Sequence, residues 1–279
     1  SVDASGAVAL SASNGASIQG RISAAGPINF TAPGRVNLDV TSSGSLISGS
    51  LISLQNVAAL SVSGLVSAAT DLSVDFAGTA TILGRVEAGN NISLTNNGTG
   101  ATSVGGVGVL AAGNDIVISS GTLSVAFGGL AYAGRDFSFT NSSFDGSFNS
   151  LTVDGTLAAG RNIGITTTGG LRVGTGGLIA GDGNVTLNSA FANIAGNVAA
   201  GTALTNGALN ITTRGDLGLP GADFTLTGSL QSVGALSVTA ANGIDISSTG
   251  RVISDSSVAL SGPDIVARGT IGAGDSVSL

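Results

Sequence analysis

A four-residue motif recurs along this chain about every 21 residues and sets the phase of an internal repeat. It consists of a small residue, a glycine, a variable residue and a polar residue, and two apolar residues in alternation follow it. Clear copies occupy residues 88–91, 112–115, 133–136 and 159–162. Self-similarity at a period of this size is typical of proteins that stack short structural repeats. The fold must therefore be derived from one repeat and its neighbours.

Each repeat contains three short apolar alternations. In the repeat that begins at Ile163 they occupy residues 163–165, 171–173 and 178–180, with Thr- and Gly-rich stretches between them. Alternation of period two, bounded by Gly, Asn, Asp and Ser, predicts short half-buried strands. Three such strands bury their apolar side only by stacking on neighbouring repeats. The sequence therefore predicts an all-β parallel β-helix, a solenoid with three strands per coil and about 13 coils.

The composition favours strands and corners over helices. The 46 glycines fall mainly at strand boundaries, and we interpret them as residues that adopt the positive φ angles of tight corners. Glu87 is the only glutamate and lysine is absent. Because charged helix formers are so scarce, we expect essentially no helix.

Charge and hydropathy exclude several kinds of partner. A net charge of −7 without basic runs makes a nucleic-acid partner a poor fit, because such binding depends on clustered cations. No apolar run approaches the roughly 18 residues of a membrane span, so we expect no membrane insertion. Cysteine is absent, which excludes disulfides. We expect a monomer.

The repeat extends through the whole chain, and we expect a single β-helical domain over residues 1–279. Alternation begins almost at the first residue and continues to the last, without the polar cap that an independent solenoid needs. We therefore interpret the chain as an interior fragment of a longer rod. Two interruptions of the period predict irregular loop insertions near residues 141–156 and 213–224.

Residues 110–116 and 157–163 read LAAGNDI and LAAGRNI, and they resemble the haemagglutinin repeats of filamentous-haemagglutinin-type exoproteins of bacterial two-partner secretion. The resemblance extends over nearly the whole chain. It implies a right-handed β-helix, secreted to the bacterial cell surface through an outer-membrane transporter, that acts as an adhesin for a host-cell receptor or glycan. The family's secretion domain carries Asn-Pro motifs, and no proline here follows Asn. The chain is thus similar to the shaft of such a protein.

Three functions are compatible with this sequence. The first is a structural and adhesive shaft that presents binding elements to host or neighbouring cells. The second is a β-helical carbohydrate-active enzyme or carbohydrate-binding module, and the third is the stalk of a contact-dependent toxin-delivery protein. The chain has no His, Cys or Lys, and these residue types commonly carry acid–base catalysis. We therefore expect no enzyme and no cofactor, although carboxylates from adjacent coils could still cluster.

Polar residues two positions after the motif glycine are expected to stack into a ladder along one corner. A ladder of carboxylates and amides could bind a divalent metal, or it could serve turn formation, since Asn and Asp hydrogen-bond nearby backbone. The Gly-Gly-x-Gly-x-Asp calcium repeat is absent, which favours turn formation and no metal site. The ladder residues are Asp71, at a position where Ala69 replaces the motif glycine, and then Asn91, Asp115, Asp136 and Asn162.

The two interruptions carry the candidate binding residues. Phe144 and Phe148 lie in the first, where they could form an exposed contact patch or anchor a loop that folds back on the solenoid. The second contains Arg214, Gly215 and Asp216, a tripeptide known to bind integrins when it is exposed on a turn. The alternative interpretation of this tripeptide is an ordinary glycine turn that connects two strands and binds nothing.

Overall fold

The computed structural model describes residues 1–141, 149–215 and 221–279. These ranges contain β-strands and no helix. The chain is a parallel β-solenoid of about 12 turns, which confirms the predicted all-β repeat fold. It divides into two compact units, Ser1–Asp145 and Gly146–Leu279. Within the ranges described, no helix has the length and apolar character of a membrane span.

Most strands of the first unit are three to five residues long. In chain order they are β1 (Val2–Ala4), β2 (Val8–Leu10), β3 (Ala16–Ile18), β4 (Arg21–Ala24), β5 (Ile28–Val40), β6 (Ser45–Ser48), β7 (Ile52–Val62), β8 (Leu65–Ala68), β9 (Leu72–Phe76), β10 (Ala80–Ile82), β11 (Arg85–Ala88), β12 (Ile92–Asn96), β13 (Ala101–Val104), β14 (Val109–Ala112), β15 (Ile116–Ser120), β16 (Thr122–Val125), β17 (Leu130–Ala133) and β18 (Phe137–Asn141).

The strands of the first unit pair in parallel with strands of the next turn. Strands β1, β4, β6, β8, β11, β14 and β17 form the first sheet, and the other strands belong to a second sheet. The register follows the repeat, because Ile92 lies opposite Leu72 on one side and Ile116 on the other. Residues with the same place in the repeat therefore meet in space.

The second unit has the same organisation. Its strands are β19 (Asn149–Val153), β20 (Thr156–Ala159), β21 (Ile163–Thr166), β22 (Gly170–Val173), β23 (Leu178–Gly181), β24 (Val185–Ser189), β25 (Ala192–Ile194), β26 (Asn197–Ala200), β27 (Leu209–Thr213), β28 (Phe224–Leu226), β29 (Ser229–Ser232), β30 (Leu236–Ala240), β31 (Ile244–Ile246), β32 (Arg251–Ser254), β33 (Val258–Ser261), β34 (Ile265–Ala267), β35 (Thr270–Ala273) and β36 (Val277–Ser278).

Pairing in the second unit is again parallel and in phase with the repeat. Val185 lies opposite Ile163 and Leu209, and the first-sheet strands β20, β23, β26, β29, β32 and β35 pair in that order. One excursion departs from the pattern: an isolated antiparallel bridge joins Thr202 and Thr205, and Leu204 between them is 96% exposed.

The core of each unit consists of the inward residues of the alternating strands. Ile92, Ile116 and Phe137 lie opposite one another in consecutive turns, and all three are buried. Phe137 and Phe139 are the two alternating apolar residues that follow the motif copy at residues 133–136, and both are buried. Fully burying one such side chain stabilises the fold by about 1.5–3 kcal/mol. The residues at the same inward positions therefore stabilise each successive turn.

Some polar side chains also lie inside the solenoid, at its corners. Asn96 is only 4% exposed, and its Nδ2 donates a hydrogen bond to the carbonyl of Gly78 at 2.7 Å. Its Oδ1 accepts one from the N–H of Gly98 at 2.6 Å. In the second unit the hydroxyl of Thr167 donates to the carbonyl of Gly169 at 2.9 Å. These bonds satisfy backbone groups that the corners withdraw from water.

Two strands are far longer than the alternation predicts. Strand β5 has 13 residues and β7 has 11. Their pairing contains register shifts, for example between Thr31 and Val36 on β5. Such irregularities let a strand bend while it stays in the sheet. The one non-glycine residue with positive φ among those described, Asn56, lies at the corresponding part of β7.

The predicted irregular insertions lie partly outside the described residues. Of residues 141–156, residues 142–148 are outside them, while Asn149–Val153 form strand β19 and Thr156 begins β20. Of residues 213–224, residues 216–220 are outside them, Thr213 ends β27 and Phe224 begins β28. The single domain over residues 1–279 stays a prediction beside the two compact units.

Glycines that precede the first-sheet strands form a column along the solenoid. We predicted that corner glycines provide positive φ angles, and for this column that prediction is wrong. These glycines do not have positive φ. Instead, the backbone of the preceding turn lies so close that a side chain does not fit. A Cβ on Gly84 would lie 2.2 Å from the carbonyl oxygen of Gly64, and one on Gly228 would lie 1.9 Å from that of Gly196. The column comprises Gly44, Gly64, Gly84, Gly108 and Gly129 in the first unit, and Gly177, Gly196, Gly228, Gly250 and Gly269 in the second.

We expect Gly84→Ala to destabilise the chain by about 1–3 kcal/mol, because the added methyl group forces two turns apart. Gly34→Ala is the matched control, since nothing lies within 4 Å of a Cβ at Gly34. That variant should be neutral or slightly stabilising, because alanine loses less backbone freedom on folding. Urea denaturation followed by circular dichroism measures both. Equal midpoints for the two variants would contradict the close-approach explanation.

Candidate functional site

The Arg-Gly-Asp tripeptide is described only in part. Arg214 is exposed, and its guanidinium Nη2 donates a hydrogen bond to the carbonyl of Thr167 at 2.9 Å. Gly215 has a φ of 65°, in the left-handed region that favours glycine. Asp216 lies outside the described residues. Integrin binding therefore stays a prediction, and cell adhesion of an Asp216→Ala variant is the measurement that decides it.

The other predicted binding residues, Phe144 and Phe148, also lie outside the described residues. The contact patch and the loop anchor are therefore both still hypotheses. The large apolar residues that the structure does show exposed in the first unit include Phe127, which is 79% exposed, and Tyr132, which is 42% exposed.

The predicted polar ladder is present along a corner of the first unit. The Asp71 Oδ1 accepts hydrogen bonds from the Asn91 Nδ2 at 2.8 Å and from the Asn91 backbone N–H at 3.2 Å. The Asn91 Oδ1 accepts the N–H of Asp115 at 3.2 Å, and the Asp115 Oδ1 accepts the N–H of Asp136 at 3.1 Å. Each side chain therefore binds the backbone of the next turn, and not the backbone of its own turn.

The second unit repeats this arrangement. The Asn162 Oδ1 accepts the N–H of Asn184 at 3.0 Å, and the Asn184 Oδ1 accepts the N–H of Ala208 at 2.9 Å. The amide oxygens of Asn162 and Asn184 thus accept hydrogen bonds from the backbone of the next turn, as the ladder residues of the first unit do. Within residues 1–141, 149–215 and 221–279, no group of three or more His, Cys, Asp or Glu residues is placed to hold a metal ion.

We expect Asn91→Asp to destabilise the first unit by about 1–2 kcal/mol. The change removes the amide donor to Asp71 and places a third carboxylate between Asp71 and Asp115, in turns only about 4.8 Å apart. Because the corner is exposed, molar sodium chloride should restore part of the loss by screening. Urea denaturation with and without salt measures the effect.

Asn29→Asp is the matched control, because its register neighbours are Ala9 and Ser53 and so carry no charge. It should change the urea midpoint little. If calcium chloride stabilised the parent chain more than sodium chloride of equal ionic strength, the turn-forming interpretation of the ladder would fail and the metal hypothesis would stand.

A shallow depression on the outer face of the first sheet is a candidate site in the first unit. Four outward residues lie in one register column: Ser67, Glu87, Ala111 and Tyr132. Together with the adjoining small residues they line a cavity of about 390 Å³, which we call the Tyr132 depression. The small side chain of Ala111 forms its floor, between the carboxylate of Glu87 and the ring of Tyr132.

The carboxylate of Glu87 is fixed by two neighbours. The Ser67 hydroxyl donates a hydrogen bond to its Oε1 at 3.1 Å, and the Arg85 Nε donates to its Oε2. The Glu87 side chain nevertheless keeps 31% of its surface exposed. Each carboxylate oxygen has a second lone pair. Glu87 is thus a positioned hydrogen-bond acceptor that solvent or a ligand can still reach.

Sequence reasoning missed the Tyr132 depression, although a signal for it exists. Glu87 and Tyr132 are the only glutamate and the only tyrosine of the chain. Each directly precedes the small-residue–glycine pair of the repeat motif, and so does Ala111. Aligning the motif copies by that pair would have placed the three residues in one column. The alignment does not show that the three residues line a depression.

Comparison with models of known protein families, with curated proteins and with solved structures finds no match to this chain.

Proposed function

We propose that this chain is a structural and adhesive shaft segment of a large secreted bacterial exoprotein of the filamentous-haemagglutinin type. The observation that supports it best is the uniform stacking of turns, with the same glycine column and polar ladder in both units. Such stacking extends in one direction without a new core for each added repeat. A chain of this kind holds binding elements away from a cell surface.

Turn-by-turn stacking also suits export of an unfolded chain through an outer-membrane transporter. Each turn pairs with the turn before it, so folding can propagate from one end as the chain emerges. Absence of cysteine leaves no disulfide to form on the way. On this proposal the partners are the transporter and a host-cell receptor or glycan, and the location is the bacterial cell surface.

We further propose that the solenoid is right-handed with three strands per turn. Support for the count comes from pairing partners three strands apart, as between β12 and β15 or between β27 and β30. Support for the hand comes from the strong general preference of parallel strand crossovers for the right-handed connection. A crystal structure of the purified chain tests the hand directly.

Deleting one turn tests the number of strands. Residues 236–257 contain β30, β31 and β32, and Leu236 lies opposite Val258. Without them Val258 takes the place of Leu236, so the chain should stay folded with a similar strand signal by circular dichroism. Deleting residues 236–249 removes only β30 and β31 and should unfold the neighbouring turns. If the shorter deletion were the tolerated one, three strands per turn would be wrong.

Surface labelling tests the proposed function. We expect antibodies raised against the purified chain to label intact cells of the source organism, because a shaft works outside the cell. External protease should remove that signal while a cytoplasmic marker stays protected. Labelling that requires permeabilised cells would overturn the proposal.

A further inference from the structure

We propose that the Tyr132 depression binds one pyranose residue of a neutral glycan. The inference rests on the proposed adhesive function and names the chemical class of its ligand. It concerns a site on the outer face of the first sheet, formed by residues that precede both the first interruption of the repeat and the Arg-Gly-Asp tripeptide in the chain.

The size of the site follows from the stacking of turns. Glu87, Ala111 and Tyr132 belong to consecutive turns, so Glu87 and Tyr132 are separated by two strand spacings, roughly 10 Å. Ala111 between them contributes only a methyl group. A ring-shaped ligand can therefore lie over Ala111, with Tyr132 on one side and Glu87 on the other.

The chemistry of the walls matches the two faces of a sugar. A pyranose has a patch of C–H groups that packs on an aromatic ring, and Tyr132 presents a ring that is 42% exposed. A pyranose also has hydroxyl groups around its edge, and the Glu87 carboxylate accepts hydrogen bonds from such donors. An apolar floor with a few placed polar groups is the usual composition of a small-ligand site.

Preorganisation favours binding at this site. The hydrogen bonds from Ser67 and Arg85 hold the Glu87 carboxylate before any ligand arrives. Tyr132 has few rotatable bonds and stands on a strand whose inner face is buried. Little side-chain freedom is therefore lost on binding, which lowers the cost of forming a complex.

The charges nearby select for neutral sugars. Glu87 contributes a negative charge to the site, and its contact with Arg85 occupies the nearest cation. The chain as a whole carries a net charge of −7. Sialylated or sulfated glycans would place like charges together at the site, and so they should bind less well than neutral ones.

The first test is a glycan array that displays oligosaccharides ending in galactose, glucose, mannose or N-acetylglucosamine beside sialylated and sulfated ones, probed with the full chain. We expect binding to one or more of the neutral glycans. Isothermal titration calorimetry with the neutral oligosaccharide that binds best then measures the affinity of the parent chain and of each variant.

Three variants locate the site. Tyr132→Ala removes the ring, Ala111→Leu fills the floor, and both should weaken binding at least tenfold. Glu87→Gln keeps a hydrogen-bond acceptor but removes the charge, so it should retain part of the affinity. The matched control is Phe127→Ala, which removes another exposed aromatic ring of the same unit and should bind like the parent. Unchanged urea midpoints show that the variants are folded.

The inference is overturned if no neutral glycan binds, if only acidic glycans bind, or if Tyr132→Ala and Ala111→Leu both bind like the parent. Capture of a protein ligand that Tyr132→Ala abolishes, without any glycan binding, would also overturn it in favour of a protein-docking face. These failures differ from failure of the shaft proposal, because surface labelling of intact cells does not depend on glycan binding.

Discussion

The close approach of successive turns is the constraint on which the rest of this structure depends. Parallel strands of neighbouring turns lie about 4.8 Å apart, and at the corner before most first-sheet strands the backbones come closer than a side chain allows. A Cβ on Gly108 would lie 2.2 Å from the carbonyl oxygen of Ile82, and one on Gly177 would lie 2.0 Å from that of Val153. Glycine at this corner lets one turn sit directly on the last, and register then repeats along each unit.

Once register repeats, every position in the repeat becomes a column in space. Inward columns collect apolar residues and form the core, as Ile92, Ile116 and Phe137 do. Corner columns collect side chains whose oxygens reach the backbone of the next turn. Asn91 shows what an amide adds to such a ladder: it donates to Asp71 and accepts from the N–H of Asp115, so these two carboxylates do not lie in adjacent turns. The corners thereby add polar links between turns that the apolar core cannot supply.

Residues in outward columns neither pack in the core nor hydrogen-bond at the corners. Their side chains can therefore vary, and such positions can form a binding site. Because side chains of a strand alternate between faces, Glu87, Ala111 and Tyr132 can change without disturbing the buried Val86, Ala88 or their equivalents. The Tyr132 depression needs only a large ring, a small floor and a fixed carboxylate in consecutive turns. A repeating scaffold can therefore carry a local recognition site without any loop or inserted domain.

The sequence by itself determined which residues form strands, which of them point inward and which polar residues share a corner. Alternation and the repeat motif are local properties, so Phe137, Phe139 and the ladder from Asp71 to Asp136 could be placed without coordinates. Only the tertiary structure decided the reason for the glycine column, the unusual length of strands β5 and β7, the acceptor role of the Asp71, Asn91 and Asp115 side chains toward the next turn, and the depression that Glu87 and Tyr132 line. Turn length varies, with Ile92 opposite Leu72 but also opposite Ile116, so the sequence spacing does not fix which residues meet. Register between turns is a long-range property, set by how closely the backbones pack, and it appears only when the turns are stacked.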